Sequence, residues 1–259
     1  MLRCVVLVML LAAPARAEAP FAFPKDPAAA AFVRSNLIAT FYHEMGHGLI
    51  DILDLAVPGR EEDAADSLSA LMIDRFWSED AAVELTRNTA AAFVLFDRQT
   101  ESDGSDQAYW DTHSLDLQRY DNLVCLFYGA SPEVRAGLAD ELGLPEQRRE
   151  SCPEEYQQAS DSWGAMLDGM PPQDHGPGLR LVGPADRNPL TALIAEEIEA
   201  LNGEYGLPVF VDVTVETCGE ANAFYDPRAR RIVICEEYAE ELARLFAADK
   251  EASKKVITP

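Results

Sequence analysis

Apolar residues recur with a helical period near the start of the chain, at Phe32, Val33, Leu37, Phe41, Met45, Leu49, Ile52 and Leu53. Apolar side chains every three to four residues mark one face of a helix, so this spacing predicts one long helix from about Ala28 to Leu55. Asp26-Pro27 offers its N-cap and first-turn proline, and Pro58-Gly59 turns the chain after it. The same period predicts helices over about Glu61–Trp77, with Leu68, Leu71, Met72 and Phe76 as its stripe, and about Glu79–Gln99, presenting Leu85, Ala92, Phe93 and Phe96. Ser102 to Gln107 is a polar loop at the expected edge of a cleft. Further helices are expected from the Tyr109–Tyr120 segment to about Tyr128-Gly129, from Ser131-Pro132 to Leu142, from Cys152 to Leu167, and over Pro189–Asn202.

The period then changes to two. Val209–Val215 and Arg231–Cys235 read as strands, joined by a turn at Asp226-Pro227-Arg228, and a hairpin between them is expected. A last helix over about Glu237–Ala248 precedes a frayed tail. Pro171-Pro172, Gly176-Pro177-Gly178 and Gly183-Pro184 mark a linker or long loop at 170–187. The expected class is α+β. A mostly helical region at 28–169 is followed by the loop and by a C-terminal αββα segment at 188–250 that packs on the same core.

The length of 259 residues suits one large domain or two small ones. Arg3, the apolar run Val5 to Ala13 and Ala15-Arg16-Ala17 predict a secretory signal peptide at 1–17, too short to span a bilayer. That signal peptide leads to the expectation that the chain is exported, to a periplasm or the medium, and no other segment is long and apolar enough to cross a membrane. Cys125, Cys152, Cys218 and Cys235 then remain, which three disulfide pairings satisfy. Order along the chain favours Cys125–Cys152, stapling two neighbouring helices, and Cys218–Cys235, across the hairpin. A formal charge of −24 and a pI near 4.4 exclude nucleic acid and anionic lipid as natural partners.

Candidate chemistry sits in the first helix. His43-Glu44-Met45-Gly46-His47 has the pattern H-E-x-x-H, whose two histidines project from one helical face and can share one zinc ion, Zn2+. Glu44 lies beside them, placed to take a proton from water. Zinc used in catalysis needs a third protein ligand and one open position. Of the acids from Glu61 to Asp66, only Glu62 has another acid one turn later, so Glu62 is the expected ligand and Asp66 the expected support for a ligand histidine. The competing reading makes this run an ordinary acidic helix start. These residues resemble the gluzincin metallopeptidases, the thermolysin-like group with H-E-x-x-H and a downstream glutamate ligand.

Peptide hydrolysis also needs a group that stabilises an oxyanion. His113 is the first candidate, with Arg119 and Tyr225 in reserve; a structural hydrogen bond is the competing role for His113. His175 lies in the Pro/Gly-rich loop and is expected to be exposed. Asn222-Ala223-Phe224 is similar to the N-A-F sequence of the gluzincin edge strand, which implies that these residues hold an extended peptide or protein substrate. In gluzincins that strand precedes the zinc helix. Here it follows, which implies a circularly rearranged zincin core.

Taken whole, the chain resembles a family of exported bacterial metallopeptidases of uncharacterised type. The resemblance rests on the zinc motif, Gly59 to Asp66, His113-Ser114-Leu115-Asp116 with Gln118-Arg119, Cys125, Glu150-Ser151-Cys152, Ser162-Trp163 and Cys218-Gly219-Glu220 with Asn222-Ala223-Phe224. The family tends to follow its last cysteine with Tyr-Glu, whereas this chain has Cys235-Glu236-Glu237. The expected function is a zinc-dependent metallopeptidase. The rivals are a zinc hydrolase of cell-wall peptide amides and a non-catalytic binding protein on the same scaffold.

Overall fold

The computed structural model describes residues 21–173 and 176–257, so the expected signal peptide and His175 lie outside the described residues. Helix α1 spans Pro27–Ile52, with the Asp26 carboxylate accepting from the Ala28 N–H at 3.0 Å. It is the central helix. Helices α2 (Glu61–Phe76) and α3 (Glu79–Ser102) pack on it, as do α9 (Pro189–Glu204), α10 (Glu236–Ile257) and two strands described below. That position explains why its apolar residues are not confined to one stripe: Phe32, Val33, Leu37, Phe41 and Leu49 are all fully buried.

The helix ends in a Schellman turn. The Leu55 N–H donates to the Ile50 carbonyl at 3.0 Å and the Asp54 N–H to Asp51 at 3.2 Å, with Asp54 at a left-handed φ of 50°. Helix α4 (Asp116–Ala130) packs on α2 and α3, and the short helices α5 (Pro132–Glu141) and α6 (Glu146–Arg149) follow. Next come α7 (Cys152–Ala159), a π-helical turn over Ser160–Gly164 and α8 (Ala165–Asp168). The π turn carries Trp163, whose indole N–H donates to the Ala64 carbonyl at 3.1 Å and the Ser67 hydroxyl at 3.0 Å, tying this segment to α2. The Cys125–Cys152 disulfide joins α4 to α7. Gly129 allows this contact, because a Cβ there would come within 2.2 Å of the Cys152 carbonyl oxygen.

The four strands are β1 (Leu179–Leu181), β2 (Val211–Glu216), β3 (Ala223–Asp226) and β4 (Arg231–Cys235), in the order β1-β2-β4-β3. The protein is therefore α+β and mostly helical, with a small C-terminal sheet. Strands β3 and β4 are the two that pack on α1.

Two expectations need correction. The hairpin does not join the two strands read from the sequence: β2 runs parallel to β4, and the antiparallel partner of β4 is β3. The unbroken burial of Ile232–Cys235 is that of a central strand covered on both faces, and parallel neighbours need a connection that crosses over. Strand β3 lies in that connection. The Cys218–Cys235 bond still forms, because Glu216 pairs with Cys235 and Cys218 follows two residues later. The segment expected as a linker also contains β1. Three residues show no period, and β1 is held by Asn202, which accepts from the Leu179 N–H at 2.9 Å and donates to its carbonyl at 2.8 Å.

Arg135 is a buried charge of the helical half. It bonds Asp74, Glu79 and the Phe127 carbonyl, with its guanidinium 3.6 Å from the Phe127 ring centroid. Removing one partner of a buried pair leaves the other desolvated and unpaired. Arg135→Met is expected to lower unfolding stability by about 3 kcal/mol in urea titrations. A change below about 0.5 kcal/mol would mean that water reaches Asp74 and Glu79 freely.

Candidate metal centre

The site depends on how closely α1 and α2 cross. Gly46, inside the H-E-x-x-H motif, faces Ala65, and a Cβ on Gly46 would lie 2.9 Å from the Ala65 Cα. Two small residues at the crossing let the first turns of α2 reach the histidines of α1. The Glu62 Oε2 lies 3.2 Å from His43 Nε2 and 3.1 Å from His47 Nε2, and the two imidazole nitrogens are 3.2 Å apart. On the outer side of each ring, His43 Nδ1 is 2.7 Å from Asp66 Oδ1 and His47 Nδ1 is 2.7 Å from Glu61 Oε1.

A carboxylate only accepts, so Asp66 and Glu61 hold a hydrogen on the Nδ1 of each ring. Each Nε2 faces Glu62 Oε2, so that side of the group is completed by a cation: a proton shared with the carboxylate, or a metal ion that takes the Nε2 lone pairs. His43, His47 and Glu62 thus form a group that can hold a metal ion. Their mutual spacing matches the edges of a tetrahedron with metal–ligand bonds of about 2.0–2.1 Å. The histidine and carboxylate donors fit zinc, with one position left open.

The electrostatics agree. Burial opposes charge on His43, but Asp66 and Glu62 outweigh it and push its pKa up to about 9. His47 is raised too, against the effect of burial, by Glu62 and Glu61. Burial alone would raise the Glu62 carboxyl, yet the nitrogens of His113, His43 and His47 hold it far below the usual carboxylate range. A proton occupies part of the role that a metal would take. Glu44 is buried, and burial raises its carboxyl above the ordinary value, opposed by His43 and His47.

Asp66 is fixed from behind. Arg119 Nε donates to Asp66 Oδ2 at 2.7 Å and a terminal nitrogen to Oδ1 at 2.8 Å, while the guanidinium lies over the Phe93 ring. Arg119 lines a smaller cavity beside His43, Glu44 and His113, and within it the guanidinium bonds go to Asp66, a geometry that suits support of that carboxylate. Tyr225 does line the cleft, but its hydroxyl donates to Asp51 Oδ2 at 2.7 Å and its ring covers Gly48. His113 is half exposed; its Nε2 is 3.0 Å from Glu62 Oε2 and its Nδ1 is 3.2 Å from Asp111. Arg60 donates to the His113 carbonyl at 2.9 Å, and the Ser114 hydroxyl donates to Asp63 at 2.7 Å.

The cleft measures about 870 Å³ and has β3 as one wall and the Asp111–His113 segment as another. Asn222, Ala223 and Phe224 all line it. Strand β3 is the sheet edge on this side. The Cys235 N–H donates to the Asn222 carbonyl, so the alternation of an antiparallel ladder turns the peptide groups of Ala223 and Tyr225 outward.

Residues 15–167 and 190–258 match the family model described as "Putative metallopeptidase". The chain belongs to this family. Neither the curated proteins nor the solved structures yield a match. Family membership supports a peptidase acting on peptides with a bound metal, and the His43–His47–Glu62 group is where this member can hold it. No helix among the described residues is long and apolar enough to cross a membrane, and the two disulfides are compatible with export.

Sequence reasoning passed over Glu61, Arg60 and Asp63. Acids in a first turn favour the helix dipole anyway, so nothing in the sequence separated Glu61 from a solvated neighbour. The crossing itself gives a prediction. Gly46→Val is expected to cost about 1–3 kcal/mol by overpacking and to weaken metal binding as α2 is pushed outward. Metal titration beside urea unfolding reads both; unchanged values would mean that the crossing is not tight.

Proposed function

We propose that the protein is a zinc-dependent endopeptidase. The observation that carries the reading is the convergence of His43, His47 and Glu62 on one point, beside buried Glu44 and an open strand edge. Zinc bound there supplies a Lewis acid that polarises the scissile carbonyl and acidifies water. The residues of the chain do the rest. Glu44 accepts the proton of the attacking water and passes it to the leaving amine, a role suited to a carboxyl raised by burial. Asp66 holds His43 in the tautomer that presents Nε2, and Arg119 holds Asp66.

His113, whose Nε2 lies 3.0 Å from Glu62 Oε2 at the edge of the cleft, donates from Nε2 to the oxyanion when it turns from that carboxylate. The outward Ala223 carbonyl and the peptide groups of Tyr225 add an extended substrate to the sheet, with Phe224 beside it and with Asn222, whose side-chain oxygen accepts from the Ala223 N–H at 2.9 Å. Strand addition favours an extended polypeptide over a compact cell-wall crosslink. Retention of Glu44 favours an enzyme over a binding protein, since a structural site needs no general base.

Two measurements test this. The mature wild-type protein is expected to bind one zinc ion, and Glu62→Ala to lose it, read as metal content after gel filtration. Glu44→Gln is expected to keep zinc and lose about 100- to 10,000-fold in kcat on an unfolded protein substrate. A wild type that binds no metal, or that cuts cell-wall crosslinks while leaving unfolded proteins intact, would overturn the reading.

A further inference from the structure

The two histidines of the metal centre are supported unequally. Behind His43 stands Asp66, a carboxylate gripped at both oxygens by Arg119 and only 22% exposed. Behind His47 stands Glu61, which is 51% exposed and, among the described residues, bonds only His47. Glu61 and Glu62 are consecutive residues at the start of α2, about 100° apart around the helix. They therefore reach opposite nitrogens of the same ring, Glu61 the outer Nδ1 and Glu62 the inner Nε2.

We propose, building on the metal reading above, that Glu61 is the positioning residue of His47 and controls how fast the metal is released. The Glu61–His47 hydrogen bond keeps the proton on Nδ1 and stops the imidazole from turning its Nε2 away. Both histidines line the open cleft, but of their two carboxylate supports only Glu61 does and Asp66 does not, so the His47 side is the one on which the coordination can come apart. Asp66, locked from behind, keeps His43 in place meanwhile. Loss of Glu61 leaves the site able to form but unable to retain its ion; loss of Asp66 strands the Arg119 charge and damages the site itself.

The test uses the full mature chain, wild type beside Glu61→Ala and Glu61→Gln. Zinc affinity is measured by competition with a chromophoric chelator, zinc release by chelator trapping, and ligand geometry by the cobalt absorption spectrum. Glu61→Ala is expected to weaken affinity about 10- to 100-fold, mostly through faster release, with an altered cobalt spectrum. Glu61→Gln keeps an oxygen that accepts from Nδ1, and is expected to recover most of the affinity and the spectrum.

If Gln and Ala behave alike, the glutamate acts only as a helix-terminal charge and the proposal falls. If Glu61→Ala releases zinc at the wild-type rate, it falls as well, with the peptidase reading intact. Absence of metal in the wild type overturns both.

Discussion

Contact between Gly46 and Ala65 is the constraint from which the site follows. A helix surface normally holds its neighbour 8–10 Å away, axis to axis, and side chains fill the gap. Here one partner has no Cβ and the other a single methyl, so the backbones meet. Carboxylates on α2 then reach imidazoles on α1 directly, and every acid in the first two turns of α2 finds a specific partner. Glu61 takes His47, Glu62 both inner nitrogens, Asp63 Ser114, and Asp66 His43 with Arg119.

That concentration of acid is costly without a cation. Burial alone would raise the Asp66 carboxyl, but Arg119 and then His43 hold it well below the usual range. Burial likewise raises Glu44, opposed by His43 and His47, and it keeps an affinity for protons. Two carboxyls on adjoining helices are thus driven in opposite directions by their surroundings. On the proposed mechanism, such a separation divides support from proton transfer within one pocket.

Much of this was legible in the residues. The 3.6-residue period located α1, α2 and α3, and the H-E-x-x-H spacing with the Glu62/Asp66 pair pointed to the atoms that the fold brings together. What was not legible depends on tertiary placement. The sequence of β2 and β4 says that both are strands, but whether they pair parallel or antiparallel depends on where β3 is laid down. Arg119 offered a charge and no direction; only the packing of α4 against α2 aims it at Asp66. Glu61 was hidden by a general preference that accounts for acids at any helix start.

The order of the segments has a consequence for synthesis. His43, His47, Glu62 and Asp66 leave the ribosome first, on two consecutive helices, whereas β3 and Cys235, whose disulfide to Cys218 anchors that wall, follow after eight further helical elements and two strands. A chain made or exported from its N-terminus therefore gains its metal ligands long before the sheet edge that borders the cleft. On the proposed mechanism, an unfinished chain can carry zinc yet has no edge on which to align a polypeptide. Its own unfolded segments, and those of its neighbours, are spared until the last strands are in place.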